Sequence, residues 1–180
     1  MPAGGSCLLG SINLAEFVCE TGFDFAGFKY CVKEAVIALN EVLDEGLPLH
    51  PLKEQRESVY DWRQIGLGIF GLADLLIKLG IKYGSPEAID LCDMIGHTMA
   101  DMAIKTSAIL SKEHGEPYPK YKPEAIEQSA FYSKNALGET KELVASFGLR
   151  NSQLLTIAPT GSLSTMLGVS GGIEPIFANY

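Results

Sequence analysis

The chain has 180 residues, of which 47% are hydrophobic and 20% charged, so it can bury the core of a domain-sized unit and is neither disordered nor collagen-like. Its formal charge of -8 argues against a general nucleic-acid or membrane-surface binder, because both need a basic field. The longest apolar stretch, residues 65–76, is shorter than a bilayer span and no basic region precedes an apolar run at the N-terminus, so we expect neither a membrane anchor nor a signal peptide.

The first segment, residues 1–20, is expected to be a loop followed by a short strand. Residues 1–6 contain proline, two glycines and serine, and the apolar run Cys7–Leu14 that follows is short enough for a strand. An opening of this kind is more typical of the interior of a protein than of its start. We therefore expect the chain to be a piece of a longer one.

The middle segment, residues 25–148, is expected to be mainly helical. Apolar residues recur every three to four positions over residues 28–43, which predicts an amphipathic helix that ends at the next glycine and proline. The charged residues 53–57 indicate the start of an exposed helix. Residues 66–79 are apolar on nearly every side, which predicts a helix in the centre of the protein.

A long helix and a short one complete this middle segment. Ser85 has the side chain of an N-cap and Pro86 suits the first turn, so a helix is predicted from here to Gly115. Residues 117–123 are rich in proline, tyrosine and lysine, which favours a surface loop. After this loop, residues 136–147 are predicted to form a short helix that ends at a glycine.

The last segment, residues 150–180, is expected to contain a strand and a binding loop. The run Gln153–Ala158 is brief and apolar, with β-branched residues, which predicts a buried strand. The glycine-, serine- and threonine-rich loop Pro159–Ser164 follows it. No repeat, charge block or linker divides the chain, so residues 1–180 are expected to form a single unit.

The loop Pro159–Ser164 could bind phosphate without any charged side chain. After a strand, successive backbone N–H groups can converge, Gly161 lets the backbone approach a ligand, and hydroxyl groups add donors. A helix that begins at Ser162 or Ser164 would favour an anion further. However, the pattern is neither a Walker loop nor GxGxxG, and a turn that caps a helix is its commoner meaning. The glycine pair before Glu174 likewise indicates only a turn when taken alone.

The four cysteines, Cys7, Cys19, Cys31 and Cys92, are widely separated and form no CxxC pair. They therefore have neither zinc-ligand nor thioredoxin-like spacing, and a reduced, cytoplasmic location is expected. The three histidines are scattered, so no metal site is predicted. By itself, a cysteine such as Cys7 is more often a small buried side chain than a reactive thiol.

Four motifs occur in a fixed order: Gly4–Leu14, Arg150–Ser152, Pro159–Ser164 and Gly172–Pro175. Together they resemble the large, catalytic chain of ribonucleotide reductases, and Trp62–Ile69 is similar to the mid-barrel helix of that family. The joint match is more specific than any of its parts and extends over essentially the whole chain. It implies a helix-rich α/β fold, a partial segment of a ten-stranded α/β barrel that surrounds a finger loop.

The resemblance implies an enzyme that converts ribonucleotides to deoxyribonucleotides for DNA synthesis. In that family a thiyl radical on a finger-loop cysteine removes the ribose 3′ hydrogen, a cysteine pair reduces the 2′ position, and a glutamate assists proton transfer. The resemblance places Cys7 in the redox-active pair. The resulting disulfide would be reduced again by a carboxy-terminal cysteine tail or a thioredoxin-type dithiol donor.

The resemblance also implies contacts to the substrate. Leu9 would lie near the base, and Asn13 and Glu174 would line the active site. The positions that would hold the substrate phosphates are Pro159, Thr160, Gly161, Ser162, Leu163 and Ser164. No metal ligand is implied in this segment.

The chain departs from the family pattern at the radical centre. In the family an Asn-x-Cys-x-Glu motif, which carries the radical cysteine and the glutamate, lies just before the position of Met1, and the second reducing cysteine lies farther upstream. This segment alone is therefore expected to be inactive. A non-catalytic helical binding or assembly module is the alternative.

The class of reductase is a finer question. The motif Ile157–Ser162 is most similar to the adenosylcobalamin-dependent class II enzymes, so this cofactor is expected in the parent enzyme, although none is expected on the segment. A class I enzyme with a separate radical-generating subunit is the alternative. The expected partners are the ribonucleotide, the dithiol reductant, the remainder of the reductase chain and, for the parent, a second copy in a homodimer.

Overall fold

The computed structural model describes residues 4–6 and 8–176, so Cys7 lies outside the described residues. The strands are β1 (Leu9–Asn13), β2 (Val18–Cys19), β3 (Gly22–Phe23) and β4 (Gly66–Phe70). The α-helices are α1 (Phe25–Gly46), α2 (Lys53–Trp62), α3 (Leu72–Lys78), α4 (Pro86–His114), α5 (Pro123–Glu127), α6 (Ala130–Asn135), α7 (Gly138–Phe147) and α8 (Gly161–Leu167). Short 3-10 helices span Leu14–Phe17 and Leu47–Leu49.

A small parallel sheet lies at the centre of the fold. Strand β1 pairs with β4 in parallel, with Leu9 opposite Gly66 and Asn13 opposite Phe70. On the other side of β4, Leu67 donates to Leu154 O at 2.8 Å and accepts from Thr156 N at 3.1 Å. Residues 153–156, called the third strand below, therefore run parallel to β4, but they form only a single bridge, between Leu67 and Leu155, and not a regular strand. The strand predicted over Gln153–Ala158 is thus reduced to this bridge.

The helices enclose one continuous apolar core. Helix α1 packs against α4 and β1, and α4 also packs against α7. The core includes fully buried side chains of α1, β4, α3 and α4, namely Phe28, Val32, Val36, Leu67, Leu75 and Ile95. Each such burial stabilises the fold by about 1.5–3 kcal/mol relative to an exposed side chain.

The helix boundaries follow from local chemistry, which the sequence predicted for α4 at Ser85 and Gly115 but not for α1 at Asp24. The Asp24 carboxylate accepts hydrogen bonds from the amides of Ala26 and Gly27, at 3.1 and 2.9 Å, and so caps α1. Ser85 caps α4 in the same way, and Gly115 ends this helix in the left-handed region at φ 77°. The predicted long helices over residues 28–43 and 85–115 are confirmed.

The prediction of one central helix over residues 66–79 is wrong. Residues 66–70 form β4, Gly71 turns the chain at φ 73°, and only Leu72–Lys78 is helical. The segment Trp62–Ile69, which the resemblance implied to be a mid-barrel helix, is not a helix either. Helix α2 ends at Trp62, and β4 begins at Gly66. A parallel strand that is covered on both faces is apolar all round, and periodicity cannot distinguish it from a buried helix.

Other differences are smaller. The short helices α5 and α6 follow the surface loop predicted at residues 117–123, and the helix predicted at residues 136–147 begins at Gly138. Residues 4–6 and 8–176 form a helix-rich α/β arrangement that contains no closed barrel. In this described part, no helix combines the length and the apolar character that crossing a bilayer requires.

Candidate functional site

The loop Pro159–Ser164 lies at the carboxyl-terminal edge of the parallel sheet. Strand β1 ends at Asn13, β4 ends at Phe70, and the third strand leads directly into the loop. All three strands run in the same direction, so their carboxyl ends share one edge. In α/β folds with parallel strands, ligands bind preferentially at this edge.

The loop presents three backbone donors at the start of α8. Thr160 adopts a left-handed conformation, at φ 52°, and the helix begins at the next residue. None of the described residues accepts a hydrogen bond from the amides of Gly161, Ser162 or Leu163, whereas the Ser164 amide donates to Thr160 O at 2.8 Å. The donors open to a ligand are therefore the amides of residues 161–163.

The hydroxyl groups of Thr160 and Ser164 form hydrogen bonds that stabilise the loop. The Thr160 hydroxyl donates to Pro159 O at 2.8 Å and accepts from the Gly172 amide at 2.9 Å. Ser164 is only 5% exposed, and its hydroxyl donates to Gly161 O at 3.1 Å. The Ser162 hydroxyl has no partner among the described residues. Of the loop hydroxyls that were expected to bind a ligand, only that of Ser162 is left without another partner among the described residues.

The turn after α8 is anchored to the corner between β4 and α3. Ser170 O accepts from the Gly71 amide at 2.8 Å, and the Ser170 hydroxyl accepts from the Ala73 amide at 3.2 Å. The Ser170 amide donates to the Asp74 carboxylate at 2.6 Å. Farther along, the Tyr83 hydroxyl donates to Ile173 O at 2.6 Å. These bonds fix the turn beside the loop.

The other predicted site residues lie at different places. The exposed Glu174 follows this turn, and its carboxylate has no partner among the described residues. Asn13 caps the 3-10 helix after β1, since its Oδ1 accepts from the Ala15 amide at 3.1 Å. Leu9, 51% exposed, lies at the amino end of β1 and so at the opposite end of the sheet from the loop. Cys7 lies outside the described residues.

A buried polar network supports the third strand from behind. Asn151, just before this strand, donates from its Nδ2 to Asn40 Oδ1 and to Arg63 O, both at 2.9 Å. Its Oδ1 accepts from Asn40 Nδ2 at 3.1 Å and from the Ser107 hydroxyl at 3.0 Å. One amide side chain thus joins α1, α4 and the residue after α2.

Arg63 extends the same network to a carboxylate. It is 3% exposed and binds Asp44 through both terminal nitrogens, at 2.6 and 2.9 Å. Burial alone would raise the pKa of Asp44, but the hydrogen bond and the positive charge of Arg63 outweigh it, and the pKa lies below its usual value. Burial and the charge of Arg63 lower the pKa of Arg150. The network is therefore charged at neutral pH.

Two of the described cysteines, Cys31 and Cys92, have raised thiol pKa values. Cys31 on α1 and Cys92 on α4 are partly buried, and this burial raises the pKa of both thiols. Cys19 is exposed and its thiol donates to Gly22 O at 3.3 Å. A raised pKa reduces the thiolate fraction, so Cys31 and Cys92 act as small apolar side chains, as the sequence predicted.

An apolar hollow of about 420 Å³ opens beside the loop and turn. Its lining includes Ile69, Cys92, Ile95, Ile157 and Ile173. A second hollow, of about 520 Å³, runs along the edge of β1 that has no partner strand among the described residues, and includes Ile12, Cys31 and Leu39 in its lining. No lysine or arginine occurs in residues 151–180. Within this segment, the uncharged donors that could hold an anion at the loop are the backbone amides of residues 161–163 and the Ser162 hydroxyl.

The family model described as "Ribonucleotide reductase, barrel domain" matches residues 2–180. The chain belongs to the ribonucleotide reductase barrel-domain family. This confirms the resemblance that the ordered motifs predicted. The described residues of this reductase segment form part of a barrel domain, not a complete one.

Several reductases are similar to the chain over nearly its whole length. The ribonucleoside-diphosphate reductase subunit alpha of Chlamydia muridarum is 33% identical over 192 residues, which cover 95% of this chain and 18% of the relative. The vitamin B12-dependent ribonucleoside-diphosphate reductase of Mycobacterium tuberculosis is 34% identical, with coverage of 96% and 22%. The large chain of Encephalitozoon cuniculi is 33% identical, with coverage of 96% and 23%. The reductase segment thus spans about a fifth of these relatives.

The sequence did not predict which residues hold the loop Pro159–Ser164 and the third strand in place. Asp74 had a local signal, because it is the only charged residue in the apolar run 65–76. Ser170 had none, since its partner lies 96 residues away in the chain. Asn151 belongs to the motif Arg150–Ser152, but its hydrogen bonds to Asn40, 111 residues away, could not be predicted. Only the folded structure brings these groups together.

Proposed function

We propose that the protein containing this chain is a ribonucleotide reductase that makes deoxyribonucleotides for DNA synthesis. The family match over residues 2–180 carries this proposal, and relatives named ribonucleoside-diphosphate reductases support it. In the overall reaction the 2′-hydroxyl leaves as water, a hydrogen replaces it, and two cysteine thiols become one disulfide. A dithiol reductant of the thioredoxin type then returns the disulfide to two thiols and is itself oxidised.

Cys7 is proposed as one of these two thiols. In this proposal the second thiol, the radical cysteine that removes the 3′ hydrogen and the glutamate that assists proton transfer belong to other parts of the parent chain. The 180 residues contain no Asn-x-Cys-x-Glu sequence. The segment alone is therefore proposed to be inactive.

The test uses the full-length protein, a ribonucleoside diphosphate and thioredoxin as the reductant. Cys7→Ser should abolish multiple turnover, whereas Cys19→Ser, which alters an exposed cysteine on β2, should turn over like the wild type. Small dithiols are a poor substitute for thioredoxin because they bypass thiol-exchange steps. Sustained turnover of Cys7→Ser with thioredoxin would remove Cys7 from the reducing pair.

We also propose that the loop Pro159–Ser164 holds the substrate phosphates. Its place at the carboxyl edge of three parallel strands supports this, as do the open amides of residues 161–163. Leu9 is proposed to lie near the base, and Asn13 and Glu174 to line the active site. Residues 151–180 contain no lysine or arginine, so in this proposal the loop holds the phosphates through uncharged donors.

Two substitutions at Ser162 separate amide binding from hydroxyl binding. Ser162→Pro removes one amide donor at a position in the first helical turn that tolerates proline, and should raise KM for the diphosphate about tenfold. Ser162→Ala keeps the amide and should change KM by less than about threefold. Equal KM values for Ser162→Pro and the wild type would contradict the phosphate role.

The parent enzyme is proposed to use adenosylcobalamin as its source of the radical. Relatives named vitamin B12-dependent support this class, although other relatives do not carry that name. The two apolar hollows of about 420 and 520 Å³ do not fit the cofactor, because they offer few hydrogen-bond partners for the amide side chains of a corrin ring. We assign no residue of this chain to it. Turnover without added adenosylcobalamin would instead favour a class I enzyme with a separate radical-generating subunit.

The segment is proposed to act as one unit of a ten-stranded α/β barrel in the cytoplasm. The outer edges of β1 and of the third strand have no strand partner among the described residues. In this proposal the remainder of the reductase chain supplies the adjoining strands, and two parent chains form a homodimer. Neither a nucleic acid nor a membrane is a proposed partner.

A further inference from the structure

Asp74 lies in the first turn of α3 and binds a distant segment of the chain. It is partly buried, and its Oδ2 accepts the Ser170 amide at 2.6 Å. The Ser170 hydroxyl in return accepts the Ala73 amide at 3.2 Å. This reciprocal pair resembles a capping box, except that the serine comes from a turn 96 residues away instead of from the helix N-terminus.

Ser170 uses all of its polar groups at this corner. Besides the two bonds above, its carbonyl oxygen accepts the Gly71 amide at 2.8 Å. A residue with three bonds to one corner has little freedom to shift or rotate. The turn that begins at Ser170 therefore has a fixed position relative to β4 and α3.

The same turn contacts the phosphate loop directly. The Gly172 amide donates to the Thr160 hydroxyl at 2.9 Å, and Gly172 is buried. A Cβ atom at Gly171 would lie 3.1 Å from Pro159 O, so the turn lies against the loop. Thr160 is one of two described non-glycine residues with positive φ, and such a conformation costs energy unless its surroundings enforce it.

We propose that Asp74 is a positioning residue for the phosphate loop. It fixes Ser170, the turn fixes the Thr160 hydroxyl, and the left-handed Thr160 directs the amides of residues 161–163 to the ligand. Asp74 does not itself contact the substrate. This inference rests on the proposed function, because it assigns Asp74 a purpose only if the loop binds the substrate phosphates.

The test compares substitutions at Asp74 in the full-length reductase. Asp74→Ala removes the acceptor of the Ser170 amide and should raise KM for a ribonucleoside diphosphate at least about tenfold, with kcat within about twofold of the wild type. Asp74→Asn keeps an acceptor oxygen and the shape of the side chain, so its KM should lie between these two values. The control is Asp90→Ala, an exposed position of α4, which should leave both constants unchanged.

A second measurement separates positioning from simple capping of α3. Inhibition by the matching nucleoside, which lacks phosphates, should be equal in the wild type and in Asp74→Asn, while inhibition by the product diphosphate weakens. If Asp74 only caps α3, the melting temperature falls but KM and product inhibition stay at the wild-type values. That result would overturn the proposal, even if Asp74→Ala fails to fold, because Asp74→Asn decides it.

Different experimental results would contradict the role of Asp74 and the proposed function. A wild type that does not reduce ribonucleotides, or a Ser162→Pro variant with unchanged KM, would defeat the proposed function. If the wild type is active and Ser162→Pro raises KM, an unchanged KM for Asp74→Asn and Asp74→Ala defeats only the role of Asp74.

Discussion

At the scale of single residues, the neighbours Asn151 and Ser152 make opposite contributions to stability. The Asn151 side chain has four buried hydrogen bonds, whereas the Ser152 hydroxyl is buried without a partner among the described residues. Asn151→Ala should therefore destabilise the region by about 2–4 kcal/mol, because it leaves buried partners unsatisfied. Ser152→Ala removes this unpaired hydroxyl and should leave the stability unchanged or raise it by less than about 1 kcal/mol.

Hydrogen exchange in the full-length protein measures both effects locally. The backbone amides of α1 and α4 should exchange faster in Asn151→Ala than in the wild type. The factor should correspond to the decrease in the free energy of local opening. Those of Ser152→Ala should match the wild type. Equal exchange in the two variants would show that the Asn151 network contributes nothing to local stability.

The ion pair of Asp44 and Arg63 predicts a dependence of stability on pH. The pKa of Asp44 is lowered in the folded state, so its contribution is complete above the unfolded pKa, about 4, and is lost as the pH falls through the folded value. Asp44→Asn leaves the buried Arg63 without a charged partner and should cost about 1–2 kcal/mol at neutral pH, a value reduced by the partial exposure of Asp44.

Thermal midpoints of the full-length protein between pH 3 and pH 7 provide the measurement. The difference between the wild type and Asp44→Asn should shrink as the solution becomes acidic. The matched control is Asp90→Asn, an exposed carboxylate of α4, whose midpoints should follow the wild type. A difference that stays constant with pH would rule out the ion pair as its source.

At the scale of elements, the close approach of β4 to the third strand depends on Gly68. A Cβ atom at this position would overlap the carbonyl oxygen of Thr156, which is backbone and cannot rotate away. Gly68→Ala should therefore separate the strands, lower the melting temperature and raise KM for the nucleotide, because the third strand leads into the loop Pro159–Ser164, the proposed phosphate site. Gly46→Ala at the end of α1 meets nothing and should stabilise by about 0.5–1 kcal/mol.

Melting temperature and KM of the two full-length variants provide the check. A Gly68→Ala variant with wild-type values for both would mean that the loop does not depend on the spacing of these strands. The comparison with Gly46→Ala separates this steric effect from the general effect of adding a methyl group at a glycine.

The elements that sequence predicted well are those whose determinants are local. Apolar periodicity over residues 28–43 was sufficient to predict α1, and the Ser85 cap together with Gly115 was sufficient to place α4. Strand β4 was mistaken for helix because burial on both faces removes the alternation that identifies a strand. The loop was found through its motif, but the Asp74–Ser170 contact that holds it was not, because only tertiary folding brings the two residues together.

At the scale of the whole molecule, the isolated segment has surfaces that the parent protein is proposed to cover. The hollows of about 420 and 520 Å³ are apolar, and the edges of β1 and of the third strand are open among the described residues. Exposed apolar patches and free strand edges favour association. The 180-residue chain should therefore form oligomers in size-exclusion chromatography with light scattering. A monodisperse monomer over a wide concentration range would contradict this.

The central claim is that the loop Pro159–Ser164 holds the substrate phosphates, and a crystal structure of the full-length protein with a ribonucleoside diphosphate tests it most directly. We predict phosphate oxygens within about 3 Å of the amide nitrogens of Gly161, Ser162 and Leu163. A substrate whose phosphates bind elsewhere, with these amides facing water, would contradict the account.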